Sequence, residues 1–93
     1  MREKIIEQKL SDEVKKKGGL ALKFTSSTFV GMPDRIVLIP DGKIGFVEVK
    51  APGETPRPLQ KSRIRMLRRM GFKVYVLDEE CQIGGIIDDI QAT

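Results

Sequence analysis

Asp34, preceded by Pro33, and the run Glu48-Val49-Lys50 are the residues of this chain best suited to chemistry. Two carboxylates brought together can hold Mg²⁺ through hard oxygen ligands, and the Val49 backbone carbonyl can add a third. Positions on the ion then stay open for water and a phosphate oxygen. A lysine alongside can position or activate the attacking water, or offset charge that builds on phosphorus. Those are the parts of metal-assisted phosphodiester hydrolysis. Taken separately, an acid ahead of a strand and a Glu/Lys pair at a strand end are ordinary surface decoration. The chemistry depends on the fold making them converge.

Composition leaves few other chemistries open. The 93-residue chain has no histidine and one cysteine, Cys81, which excludes Ser-His and Cys-His catalysis and the usual zinc centres. A lone cysteine makes no internal disulfide and suits a reducing cytoplasm. The 40% hydrophobic and 32% charged content is that of a folded soluble domain. No apolar run approaches the roughly 20 residues of a membrane span, and the N-terminus lacks an apolar signal core, so no membrane partner is expected. The length predicts one domain over residues 1–93 with a single modest core.

The net charge of +4 is unevenly spread. Arg57, Lys61, Arg63, Arg65, Arg68, Arg69 and Lys73 crowd one segment, while Asp78, Glu79, Glu80, Asp88 and Asp89 make the C-terminal end acidic. A basic band of this kind meets a polyanion or is simply a solvated helix face.

The elements that must position the acids can be read from periodicity. Ile6, Leu10 and Val14 recur every four residues and predict a helix over 3–17, with Glu3 and Glu7 one turn apart beside the apolar stripe. Lys15-Lys16-Lys17 suit its C-terminal dipole, and Gly18-Gly19 stop it. Leu20 to Phe24 reads as a strand. Two β-branched runs, 36–39 and 44–49, flank Pro40-Asp41-Gly42-Lys43, a strong hairpin signal. Both are nearly continuously apolar, which predicts a hairpin covered on two faces. Leu59 to Met70 reads as a second helix with Leu59, Arg63, Met66, Leu67 and Met70 on a shared face. Lys73 to Leu77 is a further strand. Gly84-Gly85 interrupts the chain before a short terminal helix around Ile86, Ile87 and Ile90. The predicted fold is α/β: a small mixed sheet with flanking helices, in the order α-β-β-β-α-β-(α).

Hairpin register decides whether the acids meet. A strict two-residue turn at Asp41-Gly42 pairs Arg35 with Glu48 and sends Asp34 to the opposite face. A three-residue turn or one bulge is expected instead, pairing Asp34 with Lys50 and Ile36 with Glu48, so that Asp34, Glu48 and Lys50 share a face.

Gly31-Met32-Pro33-Asp34-Arg35, then Phe46-Val47-Glu48-Val49-Lys50-Ala51-Pro52-Gly53, then Pro58-Leu59-Gln60 resemble the virus-type replication-repair nuclease (VRR-NUC) domain, a family of the PD-(D/E)xK nuclease superfamily, here in compact stand-alone form. The likeness runs from the N-terminal helix through Val74-Tyr75-Val76. It implies a restriction-endonuclease-like core and a Mg²⁺ cofactor, for which Mn²⁺ substitutes. It implies metal-binding roles for Asp34 and Glu48, a catalytic role for Lys50, and a role for Gln60 in orienting the lysine or a phosphate. Glu7 matches the acid on the first helix, which acts through water or on a second ion. Without the resemblance, Glu7 is a solvated glutamate and Gln60 a capping or surface residue.

The resemblance also implies a structure-selective DNA endonuclease of repair or recombination, cutting four-way (Holliday) junctions as a homodimer, since paired cuts need two sites about a two-fold axis. Phe29, Met32 or the second helix is available for the interface. Arg35, Lys61, Arg65, Arg68 and Arg69 are the candidate DNA contacts. Few aromatics are available for stacking, which favours duplex or junction shape over single strands. A nuclease for flaps, nicks or linear DNA fits the same residues, and so does a non-catalytic nucleic-acid-binding subunit. Against the latter stands the retention of Asp34, Glu48 and Lys50 together, since clustered acids repel phosphate.

Overall fold

A computed structural model describes residues 2–92. The first helix, α1 (Arg2–Lys16), buries Ile6, Leu10 and Val14 and ends where Gly18 turns at positive φ. The strands are β1 (Leu20–Lys23), β2 (Arg35–Ile39), β3 (Lys43–Val49) and β4 (Val74–Leu77), with α2 (Pro58–Arg69) between the last two. A 3-10 turn (Glu80–Gln82) leads into α3 (Ile83–Gln91). The four strands form one sheet in the order β1-β2-β3-β4, antiparallel up to β3 and parallel between β3 and β4. This is the expected mixed α/β order.

Alternation along the strands builds two cores. Val37, Ile39, Val47, Val49 and Leu77 face α1 and α3, whose contribution is Ile6, Leu10, Val14, Ile83, Ile86, Ile87 and Ile90. Phe46 and Val74 face α2, which supplies Ile64 and Leu67. Strand β3 is thus buried on both faces from Gly45 to Val49, as its apolar run requires. Coverage of the hairpin is only partial, however. On the α2 side, Leu38 and Ile44 are exposed near its tip, beside Leu20 and Leu22 of the edge strand β1.

Two further expectations are corrected. Gly84 and Gly85 lie inside α3 rather than before it. Two helical glycines cost about 1 kcal/mol each relative to alanine, which burial of the four isoleucines at i, i+3, i+4 and i+7 outweighs at roughly 1.5–3 kcal/mol per side chain. On α2 the buried positions are Ile64 and Leu67, while Leu59 and Met70 are exposed. Leu59 and Arg63 instead pack against the loop at Gly31.

The hairpin loop has three residues, Pro40-Asp41-Gly42, closed by the pair Ile39↔Lys43. Asp41 and Gly42 both take positive φ, as an Asp-Gly hairpin turn asks. The ladder then runs to Arg35↔Val47, so its continuation sets Asp34 opposite Glu48, not Lys50 as expected. The offset is two residues, an even number, and parity is kept.

At the α1–β1 turn, Gly19 is required by close approach: a Cβ there would lie 2.2 Å from the Leu38 carbonyl oxygen. Gly19→Ala is expected to destabilise the fold by about 2–3 kcal/mol, because backbone must move. Gly84→Ala, in open space on a helix, is expected to stabilise by about 0.5–1 kcal/mol. Urea unfolding of the pair checks both signs.

Candidate active site at the open end of the hairpin

Asp34 immediately precedes β2, and Glu48 and Lys50 lie at the C-terminal end of β3, so the open end of the hairpin gathers them. The Val49 N–H donates to Asp34 Oδ1 at 3.1 Å, which ties the aspartate to the end of β3. Asp34 is half-buried. Its carboxyl is pushed above the usual aspartate range by burial, opposed by the Val49 N–H and Arg35, with Glu7 and Glu3 adding to the rise.

Among the described residues, Glu48 is the one charged side chain in the core, 3% exposed. Alternation directs it to the α2 side, next to Phe46 in register. Lys50 Nζ lies 3.3 Å from its Oε2, and Gln60 Nε2 donates to the same oxygen at 3.0 Å. Gln60 sits at the third position of α2, where its Oε1 accepts the Arg57 N–H at 2.8 Å. That half of a capping box fixes which end of the amide is oxygen, and so turns the NH₂ towards Glu48. Gln60 therefore caps the helix and orients the glutamate at once. Among the described residues, Glu48 Oε1 is buried with no hydrogen-bond partner. Burial first and the Asp34 charge second raise the Glu48 carboxyl above the usual range, against the pull of Lys50.

A buried carboxylate oxygen without a donor is costly unless a cation meets it. The donor set is all hard oxygen. The residues thus fit a divalent ion of the Mg²⁺ type better than a soft metal. On the α1 side, carboxylate oxygens of Glu3, Glu7 and Asp34 lie within 4.8 Å of one another. Glu3 carries no role in the sequence reading; its signal was the one-turn spacing from Glu7, which puts both on the edge of α1 that faces Asp34.

The candidate DNA contacts divide. Arg35 NH2 is 2.8 Å from Glu7 Oε2, and its NH1 donates to the Asp34 carbonyl at 3.2 Å. It is mostly buried and engaged with an acid, so it does not stand free for phosphate. Arg68 donates to the Val74 carbonyl at 2.6 Å, holding α2 to β4. Lys61, Arg65 and Arg69 are exposed, and their side chains have no partner among the described residues. Lys61 and Arg65 lie one turn apart and Arg69 one turn further, a cationic stripe leading away from Gln60.

Comparison with known proteins agrees with this geometry. The family model of the VRR-NUC domain matches residues 2–79. The protein named "Putative nuclease p44" of Acyrthosiphon pisum secondary endosymbiont phage 1 is 50% identical over 80 residues, 86% of each chain. A solved structure described as a VRR_NUC domain superposes with a TM-score of 0.88 at 29% identity, over 95% of this chain and 96% of the other. The sheet and its flanking helices accordingly form a restriction-endonuclease-like core.

Proposed function

The chain belongs to the VRR-NUC domain family, and on that premise we propose that it is a metal-dependent structure-selective DNA endonuclease that cuts four-way junctions as a homodimer, residues 1–93 forming one nuclease domain. The observation that carries the catalytic reading is Glu48: 3% exposed, one oxygen fixed by Lys50 and Gln60, the other unpartnered. Asp34 and Glu48 would hold Mg²⁺ or Mn²⁺. In an extended strand a residue's N–H and C=O point to the same edge, so the Val49 carbonyl, on the edge whose N–H meets Asp34, would be a further ligand. Glu7 and Glu3, whose carboxylates lie close to that of Asp34, would act through water or on a second ion. The bound ion supplies Lewis-acid polarisation of the phosphate and a more acidic water.

The side chains do the rest. Lys50, held against Glu48, keeps an ammonium beside the phosphate and offsets the charge that grows on its oxygens as water oxygen bonds to phosphorus and the ester P–O bond breaks. The departing alkoxide takes up a proton and the attacking water releases one. Gln60 prevents Glu48 from rotating. Lys61, Arg65 and Arg69 would contact backbone phosphates, setting position rather than sequence. The test is incubation with Mg²⁺ or Mn²⁺ and labelled four-way junctions, flaps, nicked and linear duplexes. Symmetric cutting of junctions is expected. Cutting of linear DNA alone would remove the junction reading, and binding without cutting would favour a non-catalytic subunit.

The dimer is supported by the uncovered sheet face. Leu20 is 52%, Leu22 45%, Leu38 37% and Ile44 38% exposed, and Leu20, Leu38 and Ile44 are successive cross-strand neighbours. This apolar strip follows the unpaired edge β1 and lies at the opposite end of the hairpin from the site, so a second copy can cover it without blocking DNA. Leu38→Glu is expected to convert a dimer to a folded monomer by light scattering, and to turn paired cuts into single nicks. A wild-type mass matching the monomer at working concentration would overturn this interface.

A further inference from the structure

The segment Phe24–Asp34, between β1 and β2, presents a rigid apolar tip for which neither core has a use. Phe29 is 40% and Val30 63% exposed, and Phe29 belongs to neither hydrophobic cluster. Yet the tip is tightly held. The Arg63 guanidinium lies 3.8 Å over the Phe29 ring, and Arg63 Nε donates to the Val30 carbonyl at 2.8 Å. The Phe29 N–H donates to Ser26 Oγ. Gly31, at φ 93°, sits so close to α2 that a Cβ would fall 2.8 Å from Leu59 Cγ. The braced loop thus holds an aromatic ring and Val30 outward as a small apolar surface fixed against α2.

The position of the tip indicates which partner. It rests on the first turns of α2, next to Gln60, and its chain runs within five residues into Asp34. Residues 24–33 carry no charge, while Arg57 at the N-cap of α2 and Lys61 and Arg63 within it do. An uncharged ring backed by a guanidinium and bordered by cations suits a nucleobase whose phosphates lie to either side. We propose that Phe29, with Val30, is a wedge that stacks on an unpaired base at a DNA branch point and so helps select branched substrates. Arg63 covers one face of the ring; the other face and the rim receive the base. A single wedge needs no further aromatics, consistent with the scarcity of them in the chain. This inference rests on the nuclease reading only for its cleavage readout.

The experiment uses the full chain and a four-way junction with 2-aminopurine at the branch, in EDTA. Wild type is expected to raise the fluorescence on binding, by unstacking the base, and Phe29→Ala to abolish the rise. With Mg²⁺, Phe29→Ala is expected to cut a fully paired junction at least about tenfold more slowly, the size of one base–aromatic stack, with recovery when mismatches open the branch. Phe29→Leu, which keeps apolar bulk, is expected to fall between, and matching thermal melts would exclude misfolding. The proposal is overturned if fluorescence does not rise with wild type, if mismatches fail to rescue Phe29→Ala, or if that variant changes the oligomeric state instead. Should wild type cut no DNA, the nuclease reading fails while the fluorescence still tests the wedge.

Discussion

Lys50→Ala is expected to lower the rate of DNA cleavage by about 10²–10³, the effect of removing one preorganised electrostatic group from a reacting centre, with little change in DNA affinity. The ammonium lies 3.3 Å from Glu48 Oε2 and only its neighbourhood, not the core, depends on it. Asp34→Asn is expected to be at least as damaging, for a different reason. Asparagine keeps the acceptor for the Val49 N–H and hence the fold, but loses the charge that would hold the ion. The two are separable by metal titration: excess Mn²⁺ should partly restore Asp34→Asn and leave Lys50→Ala unchanged. Single-turnover cleavage assays across metal concentration give the answer. Cleavage at the wild-type rate in both variants would remove the site.

The sequence carried the convergence of these residues but not its details. Element order follows from periodicity and Gly/Pro punctuation, and the meeting of Asp34 with Glu48 and Lys50 follows from the parity of the loop at Asp41-Gly42. Parity is a local property. The particular pairing is not, because a three-residue loop fits at 40–42 or one residue later, and the choice is made by Ile39, which must turn into the core shared with α1 and α3. The same distinction separates the two roles of Gln60. Its capping bond to Arg57 is three residues away and legible in principle; its bond to Glu48 spans twelve residues and requires the crossover helix to be placed. Arg35 shows the converse error. An arginine after Pro33-Asp34 reads as a phosphate contact until α1 is docked, when Glu7 arrives within 2.8 Å. Charge type is in the sequence, but which opposite charge it meets is a tertiary fact. Phe29 reads as an exposed interface candidate, but that Arg63 and Leu59 of α2 pack on its loop is again a tertiary fact.

Glu48→Gln is expected to stabilise the metal-free protein while destroying its response to metal. The native carboxylate is buried with one oxygen unpartnered beside a second carboxylate. A buried unsatisfied polar group costs about 1–3 kcal/mol. In the variant, the amide oxygen takes the place of Oε2, accepting from Lys50 and Gln60, and an uncharged NH₂ replaces the unpartnered anionic oxygen. The direction with pH follows from the raised Glu48 carboxyl, caused chiefly by burial and then by Asp34. In the unfolded chain this group ionises in the ordinary glutamate range; in the fold it ionises only at higher pH. Between those points the native state binds more protons than the unfolded one, so metal-free stability falls as pH rises through the window and stays low above it. Glutamine has no such window. Denaturant unfolding in EDTA should show the variant's advantage widening as pH rises above the ordinary glutamate range. Adding Mg²⁺ or Mn²⁺ should reverse the order, raising the wild-type midpoint by linkage and leaving the variant nearly unmoved. A variant less stable than wild type in EDTA at pH 8 would mean that Glu48 is held by contacts other than those of Lys50 and Gln60. The buried acid would then be part of the scaffold and not a group kept, against stability, for a cation.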